Sequence, residues 1–234
     1  MEFGSLDCIM VRNKVTVMDE IINLDRHTLS IQYLCKRDKR LAKVISMVGP
    51  ISYVPHNRDE TFPFLVHEII EQMLSIKAGK KIYARLEDLC DGQVSPELVN
   101  QLSDDEIRSI GTSNSKVRCI RGLTEAIMSG NLDFKNIQTL SDKEILKKLT
   151  RLYGIGIWTA KMYLIFVLDR QDVLPYEDVA FLTSYKWAYK AEDVSPESIK
   201  KKCRKWSPYS SIAARFLYRA LDAGMTKEEF HLYK

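Results

Sequence analysis

The residues of this 234-residue chain best placed for chemistry lie between Leu149 and Asp178. At their centre stands Gly154-Ile155-Gly156, followed closely by Trp158 and Thr159. Two glycines one residue apart permit backbone angles that Cβ-bearing residues resist, so the chain can turn sharply here. A helix that starts on such a turn opens with amides lacking an intrahelical acceptor, and its dipole adds positive potential at the same end. That combination binds an anion such as a phosphate, and no acidic side chain stands in the turn to repel one. Taken alone, a G-x-G is more often an ordinary turn. Asp172, Glu177 and Asp178 follow around Pro175, where a lone carboxylate is by default a solvated loop charge.

Two helices must position the turn. Ile145, Leu146, Leu149 and Leu152 recur at helical spacing within Lys143–Leu152, and Ala160, Tyr163, Leu164, Val167 and Leu168 do so after it. Ile155 is expected to tuck between them. Ser141-Asp142-Lys143-Glu144 is a capping box into the first. The same periodicity predicts helices over Thr28–Leu34, Lys39–Val48, Phe62–Ile76, Lys80–Cys90, Val117–Met128 and Val179–Tyr189, with a last long one ending at Ala223. Ser95-Pro96-Glu97, Ser103-Asp104-Asp105-Glu106 and Ser195-Pro196-Glu197 look like further helix starts. Val11, Val15 and Val17 suggest a short strand or an irregular arm, and Tyr53–Glu60, with His56 and Asn57, a loop. Almost every segment is helical, which predicts an all-α fold.

At 27.0 kDa the chain can hold one large or two small domains. Its 45% hydrophobic and 28% charged residues are ordinary for a globular protein. The apolar runs Val44–Val48 and Tyr163–Leu168 are too short to span a bilayer, and no secretory-type leader stands out, so no membrane partner is expected. The five cysteines are scattered singly without a C-x-x-C spacing, which suggests neither a zinc site nor a disulfide framework, but reduced thiols. A net charge of +4 barely favours nucleic acid. The basic runs Lys36–Arg40 and Lys200–Lys205 read equally well as solvated helix faces.

Gly154, Gly156, Trp158, Thr159 and Ala160, followed by Asp172, Val173, Pro175 and Asp178, resemble the helix-hairpin-helix of the DNA glycosylase superfamily, most closely its alkylpurine (3-methyladenine glycosylase II) branch. Glu71–Ala78 is similar to that superfamily's Q-Q-[LIV]-S-x-x-A signature, Gly111–Lys116 to its G-x-S-x-x-K segment, and Lys205–Ala214 to R-W-x-P-[YW]-R-S-x-A-A. The resemblance implies an all-α protein of two helical lobes with a central cleft. One lobe would combine residues 6–60 and 171–234. The other would be a central bundle, 61–170, holding the hairpin at 143–168, with no N-terminal β domain. It further implies a monofunctional glycosylase of base excision repair that everts and hydrolytically removes alkylated purines (3-methyladenine or 7-methylguanine type) from duplex DNA. Two alternatives stand beside it: excision of another base (hypoxanthine, uracil or an oxidised purine), and a non-catalytic DNA-binding module, against which an intact Asp178 argues.

Residue roles follow from the same resemblance. Asp178, six residues after Asp172, would stabilise the oxocarbenium-like sugar, with Glu177 as its rival. Trp158 occupies the position of the Schiff-base lysine of strand-cleaving relatives, and Lys161 lies three residues on, so base excision without lyase activity is expected. Trp158 and Tyr209 would line the base pocket. The amides near Gly154, Gly156 and Trp158, helped by the Thr159 hydroxyl, would hold a phosphate. The carbonyls of Thr150, Leu152 and Ile155 match a hairpin site for Na+, K+ or Mg2+, and no cofactor is required. Met73 corresponds to the DNA wedge, although a methionine on this face serves equally as core. Lys116 would reach a phosphate or merely hold a turn. The expected partner is duplex DNA carrying a damaged base, met by a monomer in a bacterial cytoplasm (at the nucleoid) or a eukaryotic nucleus. Tyr153, Ile157, Tyr176, Glu177, His67 and Glu71 depart from the family's usual residues.

Overall fold

The computed structural model describes residues 21–55 and 60–233. The strand or arm expected around Val11, Val15 and Val17 lies outside the described residues, as do His56 and Asn57. The chain divides into two compact units, one joining the residues up to Pro55 to those from Asp169 onward, the other His56–Leu168.

The first unit opens with β1 (Ile22–Leu24), α1 (Leu29–Arg37), α2 (Lys39–Val48) and β2 (Ile51–Tyr53). The two strands pair antiparallel, Ile22 opposite Tyr53 and Leu24 opposite Ile51. Ile51 and Tyr53 turn inward and Ser52 outward, the two-residue period of a strand. These two strands are the exception, among the described residues, to an otherwise helical chain. A single residue, Asp38, separates α1 from α2, and its Oδ1 accepts the amides of Arg40 and Leu41. Oδ2 accepts hydrogen bonds from the Tyr189 hydroxyl at 2.6 Å and the Trp206 indole at 2.9 Å, and pairs with the Lys205 ammonium at 2.9 Å. An acid 2% exposed is tolerable only with partners for both oxygens, and this one has them.

The second unit runs α3 (Thr61–Glu71), α4 (Ile76–Leu89), α5 (Pro96–Gln101), α6 (Asp104–Ser109), α7 (Asn114–Met128), α8 (Phe134–Ile137), α9 (Asp142–Leu149) and α10 (Ile157–Met162). α3 is buried nearly all round, its polar His67 and Glu68 included. It ends at Glu71, short of the expected Ile76. Gln72 leaves the helical region, and Met73 takes the left-handed conformation at φ 60°. Ser75 then caps α4, which starts earlier than the expected Lys80. Serine side chains likewise cap α5, α6, α7 and α9, with capping boxes at Ser103/Glu106 and Ser141/Glu144. α10 continues as a π-helical turn, Tyr163–Val167, whose five residues are all buried.

The chain returns to the first unit through α11 (Val179–Tyr189), α12 (Pro196–Cys203) and α13 (Ser210–Asp222). α13 buries almost its whole length, including Arg215. That guanidinium lies 3.9 Å over the Tyr53 ring and pairs with Asp169 at 3.1 Å, giving its charge both a π-face and a carboxylate. Among the described residues no helix is long and apolar enough to cross a membrane.

Candidate active site

The hairpin between α9 and α10 is built by its two glycines in different ways. Gly154 has φ +76°, and a Cβ there would lie 2.7 Å from the Cys119 sulfur and 3.0 Å from its Cβ. Conformation and space both demand glycine. Gly156, at φ −85°, is the N-cap of α10, and a Cβ there meets nothing within 4 Å. That position is open to an approaching backbone. Between them Ile155 is buried, its amide donating to the Leu152 carbonyl at 3.2 Å. The first helical bond of α10 runs from Ala160 to Gly156 at 3.1 Å, so the amides of Ile157, Trp158 and Thr159 precede the ladder. The Trp158 side chain is half-buried and Lys161 is buried.

The segment joining α3 to α4 is fastened to this hairpin. Gln72 Nε2 donates to the Gly154 carbonyl at 3.1 Å and to the Thr159 hydroxyl at 3.3 Å. Thr159 is 1% exposed, and its hydroxyl accepts the Gln72 side-chain amide and so orients it. Lys116 Nζ donates to the Ile70 and Gln72 carbonyls at 2.7 and 2.8 Å. Of its two readings the turn-holding one is the structure's, because the ammonium satisfies carbonyls at the end of α3 that have no helical partner. Burial pushes its pKa down. Met73, projecting from the same turn, is 101% exposed and belongs to no core.

The carbonyls of Thr150, Leu152 and Ile155, the expected hairpin cation ligands, are neutral oxygen donors in the segment from the C-cap of α9 to the N-cap of α10. Such a set suits an alkali or alkaline-earth cation and not a transition metal. One lone pair of Leu152 is already taken by the Ile155 amide.

In the first unit Asp178 is the N-cap of α11, and its Oδ1 accepts the Phe181 amide at 2.7 Å. Its own amide donates to the Pro175 carbonyl at 3.0 Å, and the residue is 8% exposed. Glu177 is half-buried. Asp172 accepts hydrogen bonds from the Ser207 hydroxyl and from both the amide and hydroxyl of Ser210, while the Val173 amide donates to Ser211 Oγ at 2.9 Å. The stretch from Asp172 to Asp178 is thereby laced to the start of α13. Tyr209 sits immediately before α13, half-buried, with its ring edge-on to Tyr33 at 5.3 Å. The Tyr33 hydroxyl donates to the Ser207 carbonyl. Sequence reasoning missed Tyr33 and Asp38, which bond to Ser207 and Trp206 more than a hundred residues away. The only signal for either was an aromatic residue inside the first helix and an acidic one between the first two helices.

A glycine hairpin between two helices, followed by an aspartate-capped helix, defines a helix-hairpin-helix protein. The chain belongs to the HhH-GPD superfamily of base excision DNA repair proteins, whose family model matches residues 66–208. It is 27% identical over 206 residues to DNA-3-methyladenine glycosylase 1 of Schizosaccharomyces pombe, covering 86% of this chain and 90% of that one. Among solved structures it resembles a DNA-3-methyladenine glycosidase from Bacillus halodurans, with TM-score 0.79, 32% identity, and coverage of 90% of this chain and 97% of that one. It also resembles a Schizosaccharomyces pombe 3-methyladenine DNA glycosylase in complex with abasic DNA, with TM-score 0.75, 26% identity, and coverage of 82% and 96% respectively.

Proposed function

We propose that this chain is a monofunctional DNA glycosylase that removes alkylated purines of the 3-methyladenine and 7-methylguanine type from duplex DNA. The observation that carries the reading is Asp178, an aspartate held by the Phe181 amide through one carboxylate oxygen, in a chain of this repair family. In the reaction the C1′–N bond breaks with its electron pair leaving on the base. The sugar gains oxocarbenium character, which the Asp178 carboxylate stabilises. Water then adds at C1′ and gives its proton to that carboxylate. Alkylation has already weakened the bond, so little acid catalysis at the leaving base is needed.

The backbone amides around Gly154, Gly156 and Trp158 take a phosphate beside the lesion. Met73, exposed on its strained turn, fills the gap left by the everted nucleotide. The Trp158 and Tyr209 rings offer stacking faces, worth about 0.5–2 kcal/mol more for a cationic base. Na+, K+ or Mg2+ would be held by the carbonyls of Thr150, Leu152 and Ile155 and would supply only positive charge near the hairpin, with no chemistry of its own. The protein acts as a monomer on DNA, at the nucleoid or in the nucleus.

Incubation with duplexes each carrying one defined lesion, followed by hot alkali, tests the reading. Cleavage at alkylpurines only after alkali supports it. Cleavage confined to hypoxanthine, uracil or an oxidised purine moves the activity to another base, and tight DNA binding with no release leaves a binding module.

A further inference from the structure

α3 carries three potential metal ligands, His67, Glu68 and Glu71, inside the second unit. His67 and Glu68 are 3% and 2% exposed. His67 Nε2 lies 3.5 Å from Glu71 Oε1, and Nδ1 lies 4.0 Å from Glu68 Oε1. One imidazole nitrogen and one oxygen from each carboxylate fall within 4.8 Å of one another. His67 Nδ1 and Glu71 Oε1 are buried atoms with no hydrogen-bond partner. An unsatisfied buried polar atom costs about 1–3 kcal/mol, more when charged, so two in one cluster want an explanation.

The surroundings are shaped to the cluster. On the facing α4, a Cβ at Gly79 would lie 2.5 Å from Glu71 Cγ, so glycine leaves the hollow in which the Glu71 side chain rests. Tyr83 packs edge-on against the His67 ring at 4.8 Å, fixing its plane. Glu87 and Lys80 on the same helix also bear on the charges, Glu87 adding a negative one. Burial, with Glu68 adding to it, pushes the Glu71 carboxyl up against the opposing pull of His67 and Lys80.

We propose that His67, Glu68 and Glu71 bind one divalent cation of the zinc class. Mixed nitrogen and oxygen donors suit zinc and its neighbours. Tetrahedral bonds of about 2.0–2.2 Å set ligand atoms roughly 3.4 Å apart, close to the 3.5 Å between His67 Nε2 and Glu71 Oε1, and Glu68, whose oxygen faces Nδ1, completes the set by swinging toward Nε2. The ion gives Glu71 Oε1 a partner and neutralises both carboxylates, with water in the fourth position. It pins the last turn of α3, two residues before Met73. The site stands whether or not the glycosylase reading does.

The test is titration of chelator-stripped, reduced protein with Co2+, followed by competition with Zn2+. One equivalent of Co2+ is expected, giving weak visible bands without the near-ultraviolet charge-transfer band of a thiolate ligand. Zn2+ should displace it and raise Tm. His67→Ala and Glu71→Gln should each weaken binding by at least about tenfold, while the surface variant His231→Ala binds as the parent does. If His67→Ala does not fold, Glu71→Gln, equal in size, decides. No saturable binding, a thiolate band, or affinity unchanged in Glu71→Gln would overturn the site.

Discussion

The Gln72 side-chain amide donates to the Gly154 carbonyl at 3.1 Å, fastening the turn that displays Met73 to the glycine hairpin. A second bond, from Lys116 to the Gln72 carbonyl at 2.8 Å, holds the same turn from its other side. The exposed methionine and the hairpin amides therefore keep a set distance within one unit, as two contacts on the same DNA strand would need. Gln72→Ala removes both side-chain bonds, including the one to Thr159. Stability should fall by about 1 kcal/mol, the net worth of such a bond, while excision falls much further. Urea unfolding beside single-turnover kinetics separates the two; an excision loss no larger than the stability loss would reduce Gln72 to packing.

Met73 sits at φ 60°, a conformation that costs a non-glycine residue about 1–2 kcal/mol. Met73→Ala should change Tm little, because the side chain is fully exposed. Met73→Gly should be at least as stable as the parent. Both should lose base eversion, read as a smaller 2-aminopurine signal in duplex DNA. Retained eversion in the glycine variant would remove the wedge role.

Gly154→Ala and Gly156→Ala separate fold from binding. At residue 154 a methyl group meets the Cys119 sulfur and forces an L-residue to φ +76°, so a loss of about 2–4 kcal/mol is expected. Cys119→Ala should restore only part of it, since the backbone strain remains. At residue 156 the space is open. That variant should melt with the parent yet bind DNA more weakly, with a shallower salt dependence. Filter binding across ionic strengths checks both.

Asp178→Asn should abolish excision and leave affinity for an abasic analogue nearly intact. Asparagine caps helices as well as aspartate does, so the bond to the Phe181 amide survives. Asp178→Ala should additionally cost about 1 kcal/mol of stability. Comparable activity in the asparagine variant would pass the role to another carboxylate, Glu177 first.

Burial by itself pushes the Asp38 carboxyl up, but hydrogen bonds from Tyr189, Trp206 and Lys205 outweigh it and hold the group below the usual carboxylate range. A depressed carboxylate adds stability above its unfolded pKa, about 3.9, and that stability is lost as pH falls through the folded value. The urea midpoint should therefore drop steeply in acid. Asp38→Asn should cost about 3 kcal/mol near neutrality and flatten that acid limb. An unchanged pH profile in the variant would assign the acid sensitivity elsewhere.

What the sequence by itself determined is local. Helix starts at Ser95, Ser103 and Ser141 were legible because a cap and its helix lie within four residues of each other. The glycine turn was legible for the same reason, whereas the register from Asp172 to Asp178 was legible only through the family resemblance. Tertiary structure alone decided which glycine is sterically required, that Lys116 turns to the end of α3, that Thr159 is enclosed and that Met73 is not. It alone gave Asp38 its donors. Those outcomes rest on pairs such as Gln72 with Gly154, 82 residues apart, and Asp38 with Trp206, 168 apart. Periodicity and capping are interactions along one stretch of chain. Which distant side chain arrives to satisfy a buried charge or carbonyl is settled only when separate helices pack.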